Sequence, residues 1–244
     1  MKFKIAETLE QDFNNTHADK ITEKLEDFIL KNCQPYLRQN KTGLPLYRGI
    51  GGEHVDGDDL ADILIKKVRK NRQPKDTADY LHIIFDEAFK KRFGWGVRSQ
   101  GLFATGYRES TKHYGAAYIV FPIGDFSFVF SPEIGDLYVA TENLMYDNGF
   151  VTKLKLPIQN EAADNIAKAW DNGALNDDRW LLLKKYPIIL DTYIKKHYTD
   201  KNFTQAVKSK NEISIRCDKY LAVKAAVFPD KLIKKFFPKA QHEI

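Results

Sequence analysis

Gly101-Leu102-Phe103-Ala104-Thr105, then Ala116-Ala117-Tyr118-Ile119-Val120-Phe121-Pro122 and Phe126-Ser127-Phe128-Val129-Phe130-Ser131, decide the fold class of this chain. These runs are short, apolar and rich in aromatic and β-branched residues, which predicts strands. Gly124-Asp125 between the last two is a hairpin signal. Ahead of them the spacing is helical. Leu60, Ile63, Leu64 and Val68 mark one helix that ends in the basic run 66–72, and Ala78, Leu81, Phe85, Ala88 and Phe89 mark another with Asp76 as its N-cap. Behind them, 136–140 and 151–156 read as short strands, and 160–197 returns to helical spacing with Pro187 as a break. Further out, 43–50 reads as a strand followed by a glycine- and acid-rich loop over 51–59. The run 211–217 alternates with period two, and 220–223 continues it. At the ends, Ile21, Leu25, Phe28 and Ile29 predict a helix with Thr16 or Asp19 as cap and Pro35 beyond it, and 231–237 forms an amphipathic tail. Helices, strands, helices and strands in that order predict an α+β fold, with 1–40 as a helical appendage and 41–244 as the main domain.

The composition bounds the function. Of 244 residues, 43% are hydrophobic and 29% charged, a core-forming balance. Lys and Arg exceed Asp and Glu by 38 to 33, which suits an anionic ligand but is too small an excess to mark a nucleic-acid binder. Cys33 and Cys217 cannot build a disulfide framework or a cysteine zinc site. The first residues run straight into charges, without a signal-peptide core. The apolar stretch 116–123 is far short of the roughly 20 residues that cross a bilayer. A soluble, cytoplasmic protein without a membrane partner is expected.

Several motifs fail on inspection. In Gly49-Ile50-Gly51-Gly52-Glu53-His54 the histidine stands where a dinucleotide fingerprint needs glycine, and no Gly-Lys-Ser/Thr follows. Asp56-Gly57-Asp58-Asp59-Leu60-Ala61 starts like a calcium loop but puts Ala61 at the obligatory glycine. The histidines at 17, 54, 82, 113, 197 and 242 lack metal-ligand spacing, so no metal is expected. The run Lys66-Lys67-Val68-Arg69-Lys70 reads as a solvated helix face.

Three pieces remain. Leu46-Tyr47-Arg48-Gly49 puts an aromatic–arginine pair on an early strand. Gly101-Leu102-Phe103-Ala104-Thr105-Gly106 ends a strand and leads through Tyr107 and Tyr114 into Gly115. Asn211-Glu212-Ile213-Ser214-Ile215 opens a late strand with a glutamate. In this order, over roughly 44–223, they resemble the ADP-ribosyltransferase clan in its R-S-E, cholera-toxin-like class. Members carry an arginine on the first core strand, a Ser-Thr-Ser strand with aromatics before it, and a catalytic glutamate opening a late strand. The resemblance implies a split sandwich of two small antiparallel sheets with flanking helices, in which Arg48, Thr105 and Glu212 converge in a cleft. It implies a phage- or toxin-like effector that transfers ADP-ribose from NAD to a protein or nucleic-acid acceptor and releases nicotinamide. With water as acceptor the same site would be an NAD glycohydrolase. A degenerate member would serve as a binding or structural protein.

The chemistry accounts for those residue types. Breaking the nicotinamide–ribose bond builds oxocarbenium-like charge on the ribose, as in glycoside cleavage. Glu212 is the candidate carboxylate to stabilise it and to grip the 2′-hydroxyl. Arg48, backed by Gly49, is the candidate for the NAD phosphates, since a guanidinium binds phosphate oxygens with a two-pronged fork. Phe103, Tyr107 or Tyr114 could floor the nicotinamide ring. Thr105 would hold the strand geometry or bond the carboxamide. Ala104 and Gly106 stand where the family has serines. Lys210, two residues before Glu212, stands where an acceptor-engaging Glu or Gln is expected. On a strand it would share the face of Glu212 and disfavour a cationic arginine acceptor, unless Glu133 or Asp136 supplied a carboxylate.

Overall fold

A computed structural model describes residues 18–51, 61–73, 77–173 and 176–240. In chain order the elements are α1 (Ala18–Asn32), α2 (Gln34–Gln39), β1 (Tyr47–Gly51), β2 (Ile63–Lys67), α3 (Asp79–Phe93), α4 (Val97–Gln100), β3 (Leu102–Thr105), a 3-10 helix (Arg108–Tyr114), β4 (Gly115–Ile123) and β5 (Ser127–Phe130). They continue with α5 (Leu137–Tyr146), α6 (Phe150–Leu154), α7 (Asn160–Asn172), α8 (Asn176–Lys185), α9 (Ile188–His197), α10 (Phe203–Lys208), β6 (Glu212–Arg216), β7 (Lys219–Lys224), a 3-10 turn (Ala225–Val227) and α11 (Asp230–Phe236). The α+β class stands. The chain divides into two compact units. One holds the described residues up to Val68, Leu102–Phe128 and those from Lys201 on; the other holds Arg69–Gly101 and Val129–Asp200.

One seven-strand antiparallel sheet runs in the order β2-β7-β4-β1-β3-β6-β5; all its strands lie in the first unit except β5, which the division after Phe128 splits. That order forbids a flat sheet. β6 and β7 stand four strand spacings apart, about 19 Å in a flat sheet. The link between them is only Cys217-Asp218, and three Cα steps reach about 11 Å at most. β4 and β5 are also four positions apart, and their link over 124–126 reaches only about 15 Å. The β3-β6-β5 end therefore curls back toward the β4-β7 end. Long ladders join β1, β4, β7 and β2, from Tyr47↔Ile119 to Gly51↔Gly115, Tyr118↔Lys224 to Ile123↔Lys219, and Ile63↔Val223 to Lys67↔Lys219.

Rings fill this unit. Tyr36 lies 5.6 Å from Phe121 of β4 and 6.0 Å from Phe203, and Phe203 meets Phe126 and Phe128 at 5.1 and 4.9 Å. Such contacts add about 0.5–1.5 kcal/mol each beyond area burial. The N-terminal helical segment, expected as an appendage, belongs to this same unit. Leu25, Ile29, Cys33 and Tyr36 of the N-terminal helical segment are buried in the core. Asp19 lies within α1 rather than capping it, Pro35 opens α2, and Thr16 falls outside the described residues.

Other local expectations give way to tertiary pairing. The helix expected over 60–72 is instead β2 from Ile63, because five consecutive pairs with β7 claim Ile63–Lys67. Lys66 and Lys67 then lie exposed on an edge strand, where charge discourages further pairing. Gly124 does not make a hairpin, since β4 pairs with β1 and β7. At φ +74° Gly124 turns the chain away while its N–H donates to the Asn32 carbonyl at 2.8 Å. The loop over 52–60 and Asp76 lie outside the described residues, and the residue before α3 is Ala78.

The second unit is helical. The strands expected at 136–140 and 151–156 belong to α5 and α6. Asp136 caps α5 by accepting from the Val139 N–H at 3.2 Å, and Leu137, Thr141, Leu144 and Met145 fall on one buried helical face. Phe150, Val151 and Leu154 do the same for α6. Buried Arg179 ties three segments by donating to the carbonyls of Trp170 and Met145 and to Asn148 Oδ1. Pro187 is the N-cap of α9.

Candidate functional site

β3 carries Phe103, Ala104 and Thr105, and its two edges differ. Toward β6 the ladder is complete, with Leu102↔Ile215, Phe103↔Ser214, Ala104↔Ile213 and Thr105↔Glu212. Leu102, Ala104, Ile213 and Ile215 form its buried apolar side. Phe103, Thr105, Glu212 and Ser214 share the other side, since side chains alternate along each strand. Toward β1 the register holds one pair, Tyr47↔Thr105. Beyond it the strands part, and Arg48 Nη1 donates to the Phe103 carbonyl at 2.7 Å. Arg48 Nε is buried and makes no hydrogen bond. Opposite Arg48 on β4, burial and then Asp62 raise the pKa of Tyr118, whose hydroxyl donates to the Ala61 carbonyl at 2.8 Å.

Two glycines permit close approaches beside these strands. A Cβ on Gly49 would stand 2.5 Å from Tyr114 Cβ and 2.6 Å from the Thr111 carbonyl oxygen. A Cβ on Gly106 would stand 1.9 Å from the Val207 carbonyl oxygen at the end of α10. Gly106 is thus set by the approach of backbone to backbone, which leaves no room for a serine there.

The structure brings Arg48, Thr105 and Glu212 onto three adjacent strands, but not into one row. Tyr47, Thr105 and Glu212 share a side by register, whereas Arg48 alternates away from Tyr47 and reaches β3 through the opening. By this register Arg48 and Glu212 lie on opposite sides of the sheet, against the expected convergence of the three residues in one cleft. The side chain of Thr105 is engaged with backbone on both sides of β3's end. Its hydroxyl donates to the Lys210 carbonyl at 2.9 Å and accepts from the Tyr107 N–H at 3.1 Å, which pins the entry to β6 against the exit from β3. Ala104 faces the apolar side, so a serine there would not have met Glu212.

Lys210 is displaced from its expected place. β6 starts at Glu212, and Lys210 precedes it at φ +64°, so the two-residue alternation does not carry back to it. Its ammonium sits 4.7 Å over the ring of Tyr107. Tyr107 and Tyr114 are exposed, while Phe103 is half-buried beside the Arg48 contact. Glu133 and Asp136 belong to the other compact unit, where Glu133 pairs with His197 Nδ1 at 2.8 Å and Asp136 caps α5.

No protein-family model, curated protein or solved structure matches this chain. Among the described residues no group of three or more His, Cys, Asp or Glu could hold a metal ion, and no helix is long and apolar enough to cross a membrane. Burial pushes the thiols of Cys33 and Cys217 up to about 12, which keeps both protonated and non-nucleophilic at neutral pH. Sequence reading passed over Ser214. Its signal was the spacing of two from Glu212 on an alternating strand.

Proposed function

We propose that this chain is an NAD-dependent mono-ADP-ribosyltransferase acting on a protein or nucleic-acid acceptor. The observation that carries the reading is the arrangement around β3. The half-buried Glu212 stands in register with Thr105 on the polar side of one edge, and the other edge is open at Arg48. The fold-back of the sheet across a single residue pair supports the split architecture that the resemblance implies.

In this reading Phe103 floors the nicotinamide, and Arg48 offers the NAD phosphates the guanidinium N–H groups not used on Phe103. The nicotinamide–ribose bond breaks with its electron pair leaving on nicotinamide. The Glu212 carboxylate stabilises the cationic ribose, and an acceptor nucleophile then bonds to that carbon and gives up its proton. Glu212→Gln keeps the shape and removes the charge. Nicotinamide release should fall by roughly 10²–10³, the usual loss for one charge-stabilising group, with NAD affinity nearly unchanged by calorimetry. Turnover at the parent rate would remove Glu212 from catalysis.

A second reading, an NAD-binding protein without catalysis, is favoured by two contacts. The Thr105 hydroxyl is engaged with backbone, and one Arg48 nitrogen serves the fold. NAD binding without nicotinamide release by the parent chain would select this reading. Release of free ADP-ribose with no labelled acceptor would select a glycohydrolase.

A further inference from the structure

Ser214 lies two residues beyond Glu212 on β6 and opposite Phe103 on β3. Strand alternation puts its hydroxyl on the same side as Glu212, about 6.7 Å along the strand, a span within reach of a glutamate side chain. Ser214 is 2% exposed, and its Oγ makes no hydrogen bond. A buried hydroxyl without an acceptor costs stability, and such groups are few in folded proteins. The hydroxyl that β3 carries beside it is already committed. Thr105 Oγ1 is bound at both its donor and acceptor positions by backbone, and Ala104 and Gly106 carry no hydroxyl.

We propose that Ser214 is a positioning residue for Glu212, its hydroxyl donating to a carboxylate oxygen when NAD is bound and holding the other oxygen toward the ribose. This assignment rests on the NAD-cleaving reading above. The hydroxyl that a Ser-Thr-Ser strand would bring to the glutamate comes here from the glutamate's own strand. No bond to Ser214 is made or broken. It holds the carboxylate in one orientation, which matters most as charge develops, so its loss acts on kcat more than on KM.

The test is steady-state nicotinamide release by the full chain, for the parent, Ser214→Ala, Ser214→Thr, Glu212→Gln and the Ser214→Ala/Glu212→Gln double variant. Ser214→Ala should lower kcat roughly tenfold to a hundredfold, the range of a hydrogen bond to a charged group, with KM for NAD within about twofold. Its thermal midpoint should hold or rise, because an unsatisfied buried hydroxyl has been removed. Ser214→Thr should restore most of kcat. In the Glu212→Gln background Ser214→Ala should cost nothing further, since it acts through that carboxylate. Parent-like kcat in Ser214→Ala would overturn the assignment, as would an undiminished loss in the double variant. A fall in kcat accompanied by a fall in thermal midpoint, without rescue by threonine, would also overturn it and make Ser214 a packing residue. Failure of the NAD-cleaving reading shows separately, as a parent chain that releases no nicotinamide, and it takes the assignment with it.

Discussion

The edge of β3 facing β6 and the edge facing β1 solve the same problem by different means. Toward β6, four consecutive pairs satisfy the backbone, and the strands are further tied where the Thr105 hydroxyl meets the Lys210 carbonyl. Toward β1 there is one pair, and the Phe103 carbonyl takes its hydrogen bond from the Arg48 side chain. A sheet that must curl back to let Cys217-Asp218 join β6 to β7 has to give up ladder somewhere. It does so here, where a long side chain can stand in for a strand. The closed edge sets the position of Glu212 through the ladder, and the open edge sets that of Arg48 through a side-chain hydrogen bond.

The sharpest way to break the contrast is at Gly106, which holds the closed edge against α10. Gly106→Ala drives a Cβ into the Val207 carbonyl, and backbone cannot yield cheaply; a loss of about 2–4 kcal/mol is expected. Hydrogen exchange on β3 and β6 amides reads it. Parent-like protection would mean the two segments are not held as closely as described.

Arg48 comes next. Arg48→Ala leaves the Phe103 carbonyl without its donor and should cost about 1–3 kcal/mol, seen as faster exchange in β1 and β3 with β6 largely spared. Equal loss on both sides of β3 would erase the distinction between the edges. A smaller effect, about 1 kcal/mol, is expected for Thr105→Val, which removes the tie to Lys210 and Tyr107 while keeping the shape. Its exchange signature should fall on the β6 side, the mirror of Arg48→Ala.

The gentlest test concerns the link that spans the fold-back. Burial, then Asp218, raises the Cys217 thiol from its ordinary 9.0 to about 12. The unfolded chain therefore ionises this thiol first, so its contribution is intact below pH 9 and fades as pH climbs toward 12. The thermal midpoint should fall over that window, and less steeply in Cys217→Ala. At pH 8 a disulfide reagent should label the thiol only as fast as the chain opens. Immediate labelling would mean the link is looser than its burial implies.

Much of this contrast could not be read along the chain. The strands at 102–105, 116–122 and 212–216 were legible, because their apolar runs or their alternation are local. β2 was not, since Ile63-Leu64-Ile65 satisfies either period, and only the distant β7 decides between them. The run 136–140 has strand-forming residues, yet the Asp136 cap and the buried row Leu137, Thr141 and Leu144 belong to a helix. The candidate residues were legible by type and order, but their relations were not. Arg48 meets a carbonyl 55 positions away and Thr105 one 105 positions away, and no local pattern encodes such pairings. Ser214 is the exception, since its spacing from Glu212 was in plain view.

The sheet order also has a consequence for the timing of assembly. β3 leaves the ribosome early with β1 as a neighbour, yet these two strands share one pair, and the partner that secures β3 is more than a hundred residues behind. Until β6 is made, β3 presents an almost unpaired edge, a hazard for association with other chains and a natural place for a chaperone to hold. Such long-range closure is slow. The arrival of β6 removes the exposed edge in the same event that delivers Glu212. A half-made chain therefore carries Arg48 well before the strand that bears Glu212 has been made.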